Sequence, residues 1–248
     1  MASISVITQD GNLTNDLRVH LAQAGGLPNA SEIPLQLCFQ RQGIGFRSAI
    51  ALKLAAHSHQ PPQTIAQAYL ARLTTPTTPQ SNLKHRTATA VFTYEAIATP
   101  QGWLEFFLMP TEIGRWLDQI LQRENLIFPQ LPPDLLFSCH YLQQRFYDLS
   151  RLATDYTADT PQWNFEKTLL PAWEQALLEA IARCVLGSFH RSPKPHLFAA
   201  LEQTLWELQR RCPLFYFLRE NSTQGRHYWQ WFTYLAQFLA HYLPQLEN

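Results

Sequence analysis

The sequence predicts an α+β chain: a small mixed domain first, then an all-helical bundle. Three observations carry this. Strand-like runs fall in the first half: IPLQLCFQ (33–40), TATAVFT (87–93) and WLEFFLM (103–109). Apolar residues at helical spacing fill the second half. Between them PQLPPD (129–134) stacks three prolines and reads as a linker.

The elements follow in order. Residues 12–24 begin with Asn12 as a cap and carry Leu17, Val19 and Leu21, which predicts a short helix. Residues 33–40 alternate as a half-buried strand does. Residues 47–56 and 65–73 read as helices, and TTPTTPQ (74–80) as a loop. The runs 87–93 and 103–109 form a strand pair joined by a turn near Pro100, Gln101 and Gly102, and 112–123 closes the region as a helix. Beyond the linker, Leu135, Cys139, Leu142, Phe146 and Leu149 define a helix over 135–153. Further helices are expected over 170–187, 196–211 and 226–243, with Pro195 well placed at a helix start. The domains are therefore 1–124, a linker at 125–134, and 135–248.

Composition narrows the function. The 248 residues hold 46% hydrophobic residues, enough for a core, and only 15% charged ones. Nineteen basic and nineteen acidic residues cancel. That excludes a strongly basic nucleic-acid coat and a charged disordered tail. Nine glycines leave little for phosphate-cradling loops. The first residues lack a basic segment followed by an apolar one, and the greasiest stretch, 227–243, carries Gln230, Gln237 and His241. A cytoplasmic protein without a membrane span is expected. Cys38, Cys139, Cys184 and Cys212 lie far apart, which predicts reduced, buried thiols and neither zinc site nor disulfide framework.

Catalytic motifs are missing: GIG at 43–45 lacks a third glycine, and neither GxSxG nor HExxH occurs. His57 and His59 point apart on a helix and are read as helix-end residues. Asp155 and Asp159 lie in a polar segment and are read as loop and cap residues. No enzyme activity, cofactor or metal is expected.

Charge is segregated. Residues 33–94 contain no acid but hold Arg41, Arg47, Lys53, Arg72, Lys84 and Arg86 with three histidines. A second basic interval holds Arg183, Arg191, Lys194, Arg210, Arg211 and Arg219 against Glu202 and Glu207. Acids concentrate in 95–179. Such segregation is the footprint of phosphate contact, or equally a solvated surface that lacks acids. The last helix carries Tyr228, Trp229, Trp231, Phe232, Tyr234, Phe238 and Tyr242. Most of these belong to a core, and a remainder could stack bases or receive a partner helix.

The order LCFQRQGIGFRSAIALKLAAHSHQPPQTIAQAYLARL, then FTYEAIATPQGWLEFFL, resembles the N-terminal additional domain of arginyl-tRNA synthetase. FSCHYLQQRFYDLSRLA resembles the YAHAR helix of that family's DALR anticodon-binding domain, and KPHLFAALEQTLWEL with RCPLF resembles its proline–histidine helix and CP turn. The resemblance covers nearly the whole chain, but only the linker stands where the family has its catalytic core. No HIGH-type or KMSKS-type motif is present. It implies a non-catalytic tRNA-binding protein or adaptor, with arginine tRNA the first candidate.

In the family, an aromatic residue and an amide two positions later contact the D-loop; these positions fall on Trp103 and Glu105. Trp103 could stack a base or belong to a buried strand, and Glu105 departs from the amide. In the second domain Gln209 replaces a usual tyrosine and Trp229 a usual arginine, while Arg226 keeps a basic position. The expected RNA-binding set is Arg41, Arg47, Lys84, Arg86, Trp103, Glu105, Arg210, Arg211, Arg219 and Arg226. The alternative is a protein-interaction module, binding a partner or itself as a homodimer, that kept the fold and lost RNA. One continuous basic face with Trp103 exposed would favour RNA. Acids from 95–179 interleaved with the basic residues would favour a protein partner.

Overall fold

The computed structural model describes residues 2–8, 12–40, 43–74, 90–123, 129–154, 163, 171–187, 194–211 and 223–246. Among the described residues the chain is mixed α+β, with one five-stranded antiparallel sheet. It divides into two compact units, one on residues 1–116 and the other on 117–167 and 171–248.

The first unit runs β1 (Ala2–Thr8), α1 (Leu13–Gly25), a single 3-10 turn (Ala30–Glu32), β2 (Leu35–Gln40), β3 (Gly43–Ser48), α2 (Ile50–Ser58), α3 (Pro62–Thr74), β4 (Ala90–Ala98), β5 (Leu104–Leu108) and the start of α4 (Pro110–Leu121). Strand order is β1-β4-β5-β3-β2. The register sets Ile4 beside Tyr94 and Leu108, and Ala96 beside Phe106 and Phe46. Because side chains alternate along a strand, all of these share one face. That face is buried against Leu13, Leu17 and Leu21 of α1 and Ile65, Ala66 and Tyr69 of α3. Fully burying each large side chain is worth about 1.5–3 kcal/mol. The opposite face carries the row Gln36, Arg47, Glu105 and Ile97.

Local chemistry fixes the ends. Asn12 caps α1 by accepting a hydrogen bond from the Asn15 amide at 3.1 Å. The β4–β5 turn closes through Gly102 N–H to the Thr99 carbonyl at 2.9 Å. Gly102 has φ +87°, and a Cβ there would lie 2.4 Å from Pro62 Cβ, so both backbone and space require glycine. His57 lies in the last turn of α2, which ends at Ser58, and His59 follows in the left-handed conformation, so both histidines are helix-end residues.

Two strands depart from expectation. Residues 47–56 do not form one helix: Arg47 and Ser48 end β3, and α2 starts at Ile50. Glycine is a poor strand former, so GIGFRS does not read as a strand locally. Gly45 is needed because the Phe107 ring lies over it, and a Cβ would come within 2.7 Å of that ring. Strand β1, also unforeseen, is held by seven consecutive cross-strand pairs to β4. The segments 75–89, with Lys84 and Arg86, and 155–162, with Asp155 and Asp159, lie outside the described residues.

The second unit holds the end of α4, α5 (Pro133–Thr154), α6 (Ala172–Gly187), α7 (Pro195–Arg211) and α8 (Thr223–Leu246). Pro133 and Asp134 open α5. Cys139, Leu142, Phe146, Leu149 and Ala153 form its buried stripe, and Phe146 stacks on Phe232 of α8 at 5.2 Å. Helix α8 continues past Pro244 to Leu246, which is fully buried. The carbonyl that Pro244 leaves without its helical donor belongs to exposed Ala240, where water can serve it. Tyr242 donates to the Ile120 carbonyl and His241 Nε2 meets the Arg123 carbonyl at 2.6 Å, so α8 serves one carbonyl in the last turn of α4 and one just beyond it. Among the described residues no helix is long and apolar enough to cross a membrane.

Candidate nucleic-acid interface

Of the ten residues expected to bind RNA, Arg41, Lys84, Arg86 and Arg219 lie outside the described residues. Three others meet on the sheet face of the first unit opposite α1 and α3. Arg47 on β3 and Glu105 on β5 are cross-strand partners. Arg47 Nε donates to Glu105 Oε1 at 2.8 Å, and a second guanidinium nitrogen binds the same oxygen. The Arg47 guanidinium lies 5.4 Å from the centre of the half-buried Trp103 ring. Glu105 is nearly buried, whereas the Arg47 side chain keeps 41% of its surface in water. Nearby Cys38 has its thiol pushed up by burial and by the Glu105 charge, with Arg47 opposing.

The expectation for Arg47 as a phosphate ligand changes accordingly. Its charge is committed to Glu105, which explains how a carboxylate can sit beside Trp103. Glu105 belongs to the acidic interval and pairs with the first basic one. Arg183 likewise pairs with Glu179 at 2.6 Å. The acids therefore interleave with the basic residues at these two places.

The aromatic residues of α8 are core. Tyr228, Trp229, Trp231, Phe232, Tyr234, Phe238 and Tyr242 are all buried, so none is left over to stack bases. Several of their polar handles find partners inside. Trp231 Nε1 donates to Glu174 at 2.9 Å, and His227 Nε2 meets the same carboxylate oxygen at 2.6 Å. Trp173 stacks on Tyr228 beside them. This cluster resembles a carboxylate–histidine dyad, but its geometry has a structural explanation: two donors satisfy a buried acid. Among the described residues no three His, Cys, Asp or Glu side chains converge as metal ligands do.

An exposed aromatic and cationic patch lies elsewhere in this unit, between α5 and α7. Tyr141 of α5 stacks on Trp206 of α7, with ring centres 5.4 Å apart and planes 17° from parallel. Trp206 Nε1 donates to Ser138 Oγ at 2.9 Å and to Glu202 Oε1 at 2.7 Å, and Ser138 in turn donates to that carboxylate. Arg210, one turn along α7, places its guanidinium 5.7 Å from the Trp206 ring centre. One turn before Tyr141, Phe137 is 75% exposed. One turn after it, Arg145 is exposed. Below the patch, burial pushes the Cys139 thiol up to about 12, and the Glu202 charge adds to the rise.

The structure thus brings Arg210 to an aromatic stack. Arg211 instead faces Glu207, 3.9 Å away, and Arg226 stands exposed in the first turns of α8. Sequence reasoning missed Phe137, Tyr141, Arg145 and Trp206. The signal was present: Phe137, Tyr141 and Arg145 lie one turn apart and off the buried stripe of α5, inside the quoted segment FSCHYLQQRFYDLSRLA.

Compared with known proteins, the chain matches no protein-family model, no curated protein and no solved structure.

Proposed function

We propose that this protein binds tRNA without acting on it, as an adaptor built like an arginyl-tRNA synthetase that lacks its catalytic core. In this reading the first unit corresponds to the additional domain and the second to the anticodon-binding domain. The observation that carries it is the α5–α7 patch: an accessible aromatic stack beside Arg210 and Arg145. Rings offer faces to unpaired bases, at about 1–3 kcal/mol per base, and arginines bind the intervening phosphates.

The test is tRNA binding by fluorescence anisotropy across a salt series. Arg210→Glu together with Arg211→Glu is expected to weaken binding at low salt and to flatten the dependence of log K on log salt. Removing the Arg210 contact alone accounts for about one unit of that slope. Unchanged affinity and slope would overturn the assignment.

A second reading is a protein-interaction module. The Arg47–Glu105 and Arg183–Glu179 pairs favour it, because interleaved charges weaken a continuous phosphate-binding face. Exposed Phe137 would then anchor a protein partner or a second copy.

A further inference from the structure

We infer that the α5–α7 patch takes single-stranded RNA by ring faces and phosphate alone, with little regard to base identity; this rests on the RNA-binding reading above. The patch has few hydrogen-bonding groups left to offer. Reading a base requires a donor or acceptor held toward its edge. The indole N–H is the only polar group of Trp206, and it is a donor only. That N–H is shared between Ser138 Oγ and Glu202 Oε1. The Ser138 hydroxyl donates to the same Glu202 oxygen. The three polar side chains beneath the stack therefore satisfy one another and hold the indole plane in place.

Besides the Tyr141 hydroxyl, which no hydrogen bond holds toward a base edge, what remains toward the ligand is of two kinds. One is π surface, from Tyr141, half-buried Trp206 and the largely exposed Phe137. The other is positive charge. The contacts Ser138 to Glu202 and Tyr141 to Trp206 advance in the same direction along both helices. Arg145 and Arg210 stand about one turn further on. Two guanidiniums next to a stack match the alternation of base and phosphate along a single strand. A duplex hides its ring faces and cannot use the stack.

The test uses the full chain with fluorescein-labelled oligo(U), oligo(C) and oligo(A) of about a dozen nucleotides, and a blunt RNA duplex of similar length, at low salt. The three homopolymers are expected to bind within about tenfold of one another, in order of stacking strength, and the duplex at least about tenfold more weakly. Trp206→Phe keeps a ring face and loses the N–H, so it should retain binding within about threefold. Tyr141→Phe should behave as the parent does. Trp206→Ala should lose about tenfold or more. Arg210→Gln, at an exposed site that does not threaten folding, should weaken all homopolymers alike. A preference of about a hundredfold for one base, or loss of that preference in Tyr141→Phe, would overturn indifference to sequence while leaving RNA binding intact. Failure of the parent protein to bind any oligonucleotide or tRNA would overturn the RNA reading itself.

Discussion

Removing Arg47 should cost more than removing the charge of its partner, and the structure gives the size of the difference. Glu105 is nearly buried, while Arg47 is roughly half in water. A charge-assisted hydrogen bond is worth about 1.5–3 kcal/mol, and exposure of the guanidinium brings this pair to about 1–2 kcal/mol. Arg47 also lies over Trp103, which adds about 0.5–1 kcal/mol. Arg47→Met should therefore cost about 1.5–3 kcal/mol, because it leaves a carboxylate without its counter-charge in the sheet. Glu105→Gln should cost about 1 kcal/mol, because the guanidinium can turn to water and the amide still accepts a hydrogen bond. The double variant should cost less than the sum, with a coupling of about 1 kcal/mol. Two compact units need not unfold together, so a global midpoint is a poor reporter. Native-state hydrogen exchange at the amides of β3 and β5 reads the first unit directly. Coupling below about 0.3 kcal/mol, or a larger loss from Glu105→Gln than from Arg47→Met, would refute the claim that this pair neutralises Glu105.

Two further outcomes follow from buried polar groups. Tyr242→Phe removes one of two donors to the Ile120 carbonyl, the Arg123 N–H being the other, and should destabilise the second unit by about 1 kcal/mol, read as faster exchange in α8. Equal exchange would mean that the Arg123 N–H alone satisfies the carbonyl. Burial holds the His20 imidazole below the usual histidine range, so it stays neutral in the fold while the unfolded chain takes a proton. Its effect is absent above the unfolded pKa of about 6.5, and stability falls as pH drops below it, until the folded pKa is reached. Urea denaturation of the first unit at pH 7.5 and 5.5 should show this loss, and His20→Gln should reduce it.

The helices of the second unit were legible because a 3.6-residue apolar period survives in Cys139, Leu142, Phe146 and Leu149 whatever surrounds it. Strand β3 was not, because the reason for Gly45 lies on β5, in the ring of Phe107. Partnership is what a linear reading loses. Arg47 looked like a spare cation, and only the register that sets it opposite Glu105, 58 residues away, shows its charge to be committed. The aromatic richness of α8 serves the core, as expected for most of it, and leaves no remainder at the surface among the seven rings singled out. Its rings are core, while two less conspicuous rings on α5 and α7 form the exposed stack. Whether a ring is wet depends on its neighbours and leaves little trace in composition.

Purifying the protein from its native host at low salt and sequencing the RNA that accompanies it decides whether it binds RNA. Transfer RNA should be enriched over total RNA, released at high salt, and strongly reduced when the Arg210→Gln variant is purified the same way. A protein partner in stoichiometric amount with no enriched RNA would contradict RNA binding.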